Sequence, residues 1–205
     1  MFNLDTDGLQ DEKVLSYLDV LKHKKPVGKR VAVIGAGGIG FDLSEYLLHK
    51  GNSSTLDLEV WLQEWGIDKT LGARSGIENV KTEFHSSPRE IFMFKRSKGK
   101  FGGNLGKTTG WIHRSTLKKK KVQFIGDVRY SKIDDQGLHY IQNEETKILE
   151  VDTIVICAGQ TPFKELHQPL INAGKTVHVI GGADFASELD AKRAINQGAR
   201  LAARL

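Results

Sequence analysis

Apolar residues fall at helical spacing at Val14, Leu15, Tyr17, Leu18 and Leu21, which predicts a short helix running into the polar stretch Lys22-His23-Lys24-Lys25 and the connector Pro26-Val27-Gly28. A continuous apolar run from about Arg30 to Ile34 then predicts a buried strand. Beyond the glycine cluster at 35–40, the positions Ile39, Leu43, Tyr46 and Leu47 keep one apolar face to about Lys50, as a helix requires. From Gly51 to Pro88 no clean strand pattern appears, although Trp61, Leu62, Trp65 and Ile67 fit one packed helical turn. The segment reads as an insertion with some structure of its own.

Regular patterning returns with a strand over Glu90–Phe94, a glycine-rich loop from Gly99 to Gly106, a helix from about Thr109 to Lys119 and a strand over Val122–Ile125. Strands alternating with helices predict parallel pairing. Three short strands follow, Asp127–Ile133, Leu138–Gln142 and Lys147–Val151. The turn sequences Asp134-Asp135-Gln136-Gly137 and Asn143-Glu144-Glu145-Thr146 separate them, so they form an antiparallel meander. Two buried strands, Thr153–Cys157 and Val177–Ile180, and a helix presenting Leu189, Ala194, Ile195, Leu201 and Ala202 complete the order. The fold class is α/β: a Rossmann-like parallel sheet with an antiparallel meander as one crossover, followed by a separate strand and helix.

Composition changes this picture little. A chain of 205 residues with 39% hydrophobic and 27% charged residues is long enough for one large domain or two small ones. No apolar run reaches the roughly 20 residues of a membrane-spanning helix, so no membrane association is expected. The first residues lack the pattern of a secretory signal, which points to the cytoplasm. The single cysteine, Cys157, lies in an apolar run and reads as a small core residue, and it excludes an internal redox disulfide. Part of the +5 net charge sits in Lys118–Lys121, expected to be solvated at a helix C-terminus, so no nucleic-acid partner is expected. The seven histidines show no metal-ligand spacing, and no metal is expected.

The chemistry concentrates in Gly35-Ala36-Gly37-Gly38-Ile39-Gly40, a G-x-G-x-x-G run that follows a strand and opens a helix. Such a turn presents free backbone N–H groups and the positive end of the helix dipole to a dinucleotide pyrophosphate. Gly35 permits the tight turn, Gly37 the close approach of the ligand, and Gly40 the packing of helix on strand. At the end of the next strand, an acid would grip the ribose hydroxyls of NAD and basic residues would receive the extra phosphate of NADP. The sequence there is Lys95-Arg96-Ser97, which selects NADPH. The stretch Gly106-Lys107-Thr108 looks like the end of a triphosphate-binding loop, but Phe101 stands where that loop needs glycine. Lys107, Thr108, Trp111 and His113 are further candidates at the crevice, with a core role for Trp111 and a loop-capping role for Lys107 as the alternative. Hydride transfer needs no protein acid or base at the nicotinamide, so no catalytic residue is assigned.

With these motifs and the run Thr153-Ile154-Val155-Ile156-Cys157-Ala158-Gly159-Gln160-Thr161-Pro162, the chain resembles flavoprotein reductases in which an NAD(P) domain is inserted into an FAD domain. The stretches Val14–Leu21, Glu64-Trp65-Gly66-Ile67-Asp68, Leu105–Arg114 and Glu188-Leu189-Asp190-Ala191 resemble, more narrowly, the C-terminal part of the bacterial NADPH-dependent 2,4-dienoyl-CoA reductase family. This resemblance implies three regions. Residues 1–25 would be a helix and connector of an FAD domain, 26–163 an NADPH domain with an insertion at 51–88, and 164–205 a remnant of the FAD domain. It implies passage of electrons from NADPH to FAD and on, through an iron-sulfur cluster and FMN held by an upstream barrel, to an unsaturated acyl-CoA of fatty-acid β-oxidation. The remainder of that enzyme would be the protein partner. It further implies FAD contacts at Gly159, Gly181 and Gly182, with Gly182 where relatives carry an aspartate for the ribityl chain. Asp184 either substitutes for that aspartate or only caps the helix toward Glu188. A non-catalytic dinucleotide-binding or interaction protein is the competing reading, with a related enoate-type reductase fragment a further one.

Overall fold

The computed structural model describes residues 6–51, 53–83, 85–186 and 191–205. They divide into two compact units, one lying within 6–158 and the other within 159–205. The larger unit is built on five parallel strands in the order β1-β8-β2-β3-β4: β1 (Val14–Ser16), β2 (Arg30–Ile34), β3 (Glu90–Lys95), β4 (Gln123–Gly126) and β8 (Thr153–Ile156). Burial of both faces explains why β2 and β3 read as unbroken apolar runs and not as alternating ones.

Each face has its own cover. Val31, Val33, Ile91, Met93 and Val155 pack with Phe41, Leu43 and Leu47 of helix α2 (Gly38–Leu48) and Leu117 of helix α4 (Gly110–Lys119). The intervening residues Ala32, Ile34, Phe92, Phe94, Ile154 and Ile156 are equally buried. On that side Phe94 meets Tyr130 and Tyr140 edge-on, at ring-centroid distances of 6.2 and 5.1 Å. These two tyrosines belong to the antiparallel meander β5 (Val128–Asp134), β6 (Gly137–Gln142) and β7 (Glu145–Leu149). Burial drives the phenol pKa of both above the ordinary value. The meander thus serves as the crossover from β4 to β8 and as a covering layer.

Three details depart from the sequence reading. Val14–Ser16 are not helical but form edge strand β1, and the helix starts only at Tyr17 (α1, Tyr17–Leu21). Ser16 stops the strand and begins the helix through a capping box, its hydroxyl accepting from Asp19 N–H at 3.1 Å while Asp19 accepts from Ser16 N–H at 2.9 Å. Val177–Ile180, expected as a buried strand, pairs with no strand among the described residues; Val177 and Val179 are half-buried and His178 and Ile180 exposed, the period-2 pattern without a ladder partner. The lysine run is not wholly solvated either. Lys120 is buried with Glu64 of helix α3 (Leu58–Trp65), N to O 3.9 Å, their side chains 4% and 6% exposed.

That pair anchors the 51–88 insertion. Ser54 donates to the second Glu64 oxygen at 2.6 Å, and Lys119 lies 4.5 Å from the centroid of the Trp65 ring. The smaller unit holds helices α5 (His167–Asn172) and α6 (Ala191–Ala202); Leu189 and the rest of 187–190 lie outside the described residues. Breaking a buried ion pair strands one charge, whereas removing both charges does not. Lys120→Met should therefore cost about 3 kcal/mol in urea unfolding, and the double variant Glu64→Gln/Lys120→Met should recover most of the loss.

Candidate dinucleotide site

In this sheet the chain proceeds from β2 to β3 and β4 on one side and returns to β8 on the other, so the strand order reverses between β2 and β8. Ligands of open α/β sheets bind in the crevice outside the strand C-terminal ends at such a switch point. The glycine turn 35–40 sits there. Gly35 has φ +120°, donates its N–H to Phe94 O at 3.1 Å, and runs so close to β8 that a Cβ would stand 2.9 Å from the Cys157 carbonyl. Gly40 lies against the Gly35 carbonyl oxygen, which any Cβ would overlap. These two glycines are demanded by the protein's own packing.

Gly37 and Gly38 differ. A Cβ at either would meet no atom within 4 Å, so no intramolecular packing requires glycine there. Gly37 is the N-cap of α2 and supplies no side-chain cap, and the N–H groups of Gly38 and Ile39 have no acceptor among the described residues. Open space in front of unsatisfied donors at a helix N-terminus suits a pyrophosphate. The carbonyl of Ala36 is already taken by Gly102 N–H at 3.2 Å.

The basic end of β3 separates into distinct roles. Lys95 donates to the carbonyls of Lys98 and Lys100 at 3.1 and 2.9 Å, so its ammonium closes the loop on itself. Lys98 faces Asp127 at 3.4 Å. Arg96 and Ser97 are exposed, and Arg96 makes no hydrogen bond or ion pair among the described residues. Its charge acts on the Tyr130 hydroxyl, opposing the upward push of burial.

The 99–106 loop is tied to the turn by contacts that the sequence reading did not identify. Gly102, at φ +62°, accepts from Arg114 at 3.1 Å while donating to Ala36, and a Cβ there would meet the Phe41 ring at 2.9 Å. His113 Nδ1 lies 2.8 Å from Glu45 Oε1 and joins α4 to α2. Arg114 and Glu45 lie on helix faces and match no nucleotide motif, so only their structural partners reveal the role. Trp111 is 54% exposed, which excludes the core alternative; Lys107 and Thr108 are exposed beside it.

In the smaller unit, Gly159 is exposed at φ +80°, Gly181 is buried and Gly182 half-buried. The Gln197 amide of α6 spans this segment, accepting from Gly181 N–H at 2.8 Å and donating to Asp184 at 2.9 Å. One Asp184 oxygen is therefore engaged within the chain; Glu188, toward which it was expected to cap, lies outside the described residues. Among the described residues no three His, Cys, Asp or Glu side chains converge as metal ligands, and no helix is long and apolar enough to cross a membrane. Cys157 is partly buried against the core, and burial pushes its thiol up to about 12.

The switch-point turn and the parallel sheet covered on both faces define a Rossmann-like α/β fold of the dinucleotide-binding class. The chain belongs to the pyridine nucleotide-disulphide oxidoreductase family, whose model matches residues 3–182. It is 27% identical over 176 residues to a metal reductase of Desulforamulus reducens, an alignment covering 83% of this chain and 24% of that protein. Among solved structures, a 2-naphthoyl-CoA reductase in complex with 2-naphthoyl-CoA superposes with TM-score 0.65 at 18% identity, over 95% of this chain and 24% of that one. Histamine dehydrogenase from Rhizobium sp. 4-9 gives 0.62 at 15% identity, over 94% and 26%. The chain thus spans about a quarter of the length of these proteins.

Two outcomes follow from the geometry. Gly37→Val has room in the protein and an extended backbone that accepts valine, so its melting temperature should stay near that of the parent, with a stability cost of about 1 kcal/mol. Dinucleotide affinity, followed by nicotinamide fluorescence, should fall by about tenfold or more because the side chain fills the pyrophosphate path. Cys157 should stay unreactive to a thiol reagent at pH 8 in the folded protein and become reactive in denaturant.

Proposed function

We propose that this chain is the NADPH-binding module of a larger flavoenzyme, in which NADPH reduces FAD. The observation that carries the choice of NADPH is Arg96. Of the cations at the end of β3, Lys95 is spent on loop carbonyls and Lys98 faces Asp127, which leaves the Arg96 guanidinium free to fork onto a 2′-phosphate, with the Ser97 hydroxyl beside it. The N–H groups of Gly38 and Ile39 would hold the pyrophosphate, and Gly35 and Gly40 keep the turn tight enough to aim them. When bound, the nicotinamide supplies a hydride that the flavin accepts. The chain's own part is to bind, to orient and to exclude water.

Gly159, Gly181, Gly182 and Asp184 would form part of an FAD site. Asp184 keeps one carboxylate oxygen for a ribityl hydroxyl while Gln197 holds the other. With most of an FAD domain outside this chain, flavin should bind it weakly. The remainder of the enzyme, carrying FMN and an iron-sulfur cluster, would complete the path to a 2,4-dienoyl-CoA. The motifs at Leu105–Arg114 support that substrate class, and the length of the relatives supports a longer protein.

Titration of the purified chain with NADPH and NADH tests the cofactor assignment. Arg96→Ala should weaken NADPH binding by about tenfold or more, the value of a charge-assisted bidentate contact, and leave NADH within about twofold. Equal losses for the two cofactors would remove Arg96 from the 2′-phosphate site.

A further inference from the structure

A second cavity of about 490 Å³ lies at the opposite, N-terminal edge of the parallel sheet, between the connector that precedes β2, the C-terminus of α2 and the residue that precedes β3. Val20, Val27 and Leu47 provide an apolar side, and Lys24, Lys25 and Arg89 bring three cations; among the described residues no carboxylate lines it. Each charge has a different standing. Lys25 is neutralised by Asp19 at 2.7 Å. Arg89 is half-buried and held by the carbonyls of Gly28 and Leu47, both at 3.1 Å, and of Val27 at 3.4 Å. It has no acidic partner among the described residues.

The α2 C-terminus offsets only about half a unit of the Arg89 charge. Three of the five guanidinium N–H groups are engaged, so two remain. Lys24, at φ +53°, places its ammonium 4.7 Å from the centroid of the Tyr46 ring and 3.4 Å from the Tyr46 hydroxyl, with no acid to pair among the described residues. The cavity therefore holds a net positive field beside an aromatic ring and an apolar wall. His49 also lines it. Burial and the Lys120 charge lower its pKa, against the upward pull of Glu64 and Glu45, so a neutral imidazole faces the cavity near pH 7.

We infer that this cavity is a binding site for a small organic anion, an aryl or acyl body carrying one phosphate or carboxylate, with Arg89 and Lys24 on the anionic group and Tyr46, Val27 and Leu47 on the body. The volume lies within the range of small-ligand sites. The site is separate from the glycine turn, which stands at the far end of both β2 and α2, and it stands whether or not that turn selects NADPH.

Phenyl phosphate, inorganic phosphate and phenol, each titrated into the isotope-labelled chain and followed by NMR, test it. Phenyl phosphate should shift amides of 24–28, 46–51 and 89 and raise the His49 pKa, since an anion there opposes the positive field. Inorganic phosphate and phenol should each bind more weakly. Lys24→Glu, an exposed change that leaves the fold intact, should cut phenyl phosphate affinity by about tenfold or more. Tyr46→Leu should reduce it by less while leaving inorganic phosphate unaffected. Shifts confined to the glycine turn, an unmoved His49 pKa, or equal affinity for phenol would overturn the assignment.

Discussion

The contact on which the site depends is the one between Gly40 and the carbonyl oxygen of Gly35. Only with hydrogen in place of a side chain at residue 40 can α2 start directly above the end of β2. That approach fixes the helix axis, which places Phe41, Leu43 and Leu47 on the sheet and leaves the first N–H groups facing the crevice. Gly35 adds a second restraint, because its passage beside the Cys157 carbonyl sets how closely β2 and β8 meet at their C-terminal ends. Packing and donor geometry are here one constraint: any substitution that lifted the helix from the strand would also turn the Gly38 and Ile39 donors away from the crevice.

The two layers around the sheet divide the remaining work. The helical layer carries the parts near the glycine turn, since Gly102, Arg114, Glu45 and His113 link the 99–106 loop and α4 to α2 and the turn. The meander buries the other face with Tyr130 and Tyr140 against Phe94, one residue before Lys95. Arg96 thus leaves the sheet from a rigid edge, and its guanidinium is presented without help from a carboxylate. Rigidity supplied from behind would reduce the freedom an exposed arginine loses on binding an anion.

Much of this was legible in the residues. Runs such as Val31–Ile34 and Glu90–Phe94 are long, apolar and bounded by glycine or polar loops, and their strands appear within a residue of the expected limits. The first element was harder. Val14, Leu15, Tyr17, Leu18 and Leu21 satisfy a helical spacing by coincidence, because a three-residue edge strand followed at once by a helix leaves no periodicity of its own. The signal present was Ser16 with Asp19 three residues on, a cap that marks where helix must begin. Val177–Ile180 departs for the converse reason: its pattern is that of a strand, but a ladder is a property of two segments, and no described strand pairs with it. Lys120 could not be read locally, since its burial depends on Glu64, in the insertion that the pattern left least defined. Within the site, the roles of Gly35 and Gly40 followed from motif spacing, whereas the separation of Lys95 from Arg96 required the loop carbonyls to be placed.

The opposite ends of the parallel sheet obey opposite rules of polar satisfaction. At the N-terminal end the backbone donors are paired: Asp152 accepts from the N–H groups of Lys29 and Arg30 at 2.7 and 2.8 Å, and Thr153 accepts from Gly28 N–H at 3.1 Å. Those bonds hold the Asp152 carboxyl below its ordinary pKa, so the clamp stays ionised through the neutral range. A Cβ on Gly28 would collide with Asp152, so the clamp needs glycine as firmly as the turn does. At the C-terminal end the same kind of donors, on Gly38 and Ile39, are left without a protein partner. An unpaired backbone group is costly only when water is excluded, and at this open end, where Gly38 is exposed, the unmet donors stand where solvent or an incoming acceptor can reach them. The difference between the two ends, more than the glycine spacing alone, distinguishes the turn from a tight connection whose donors are all paired within the chain.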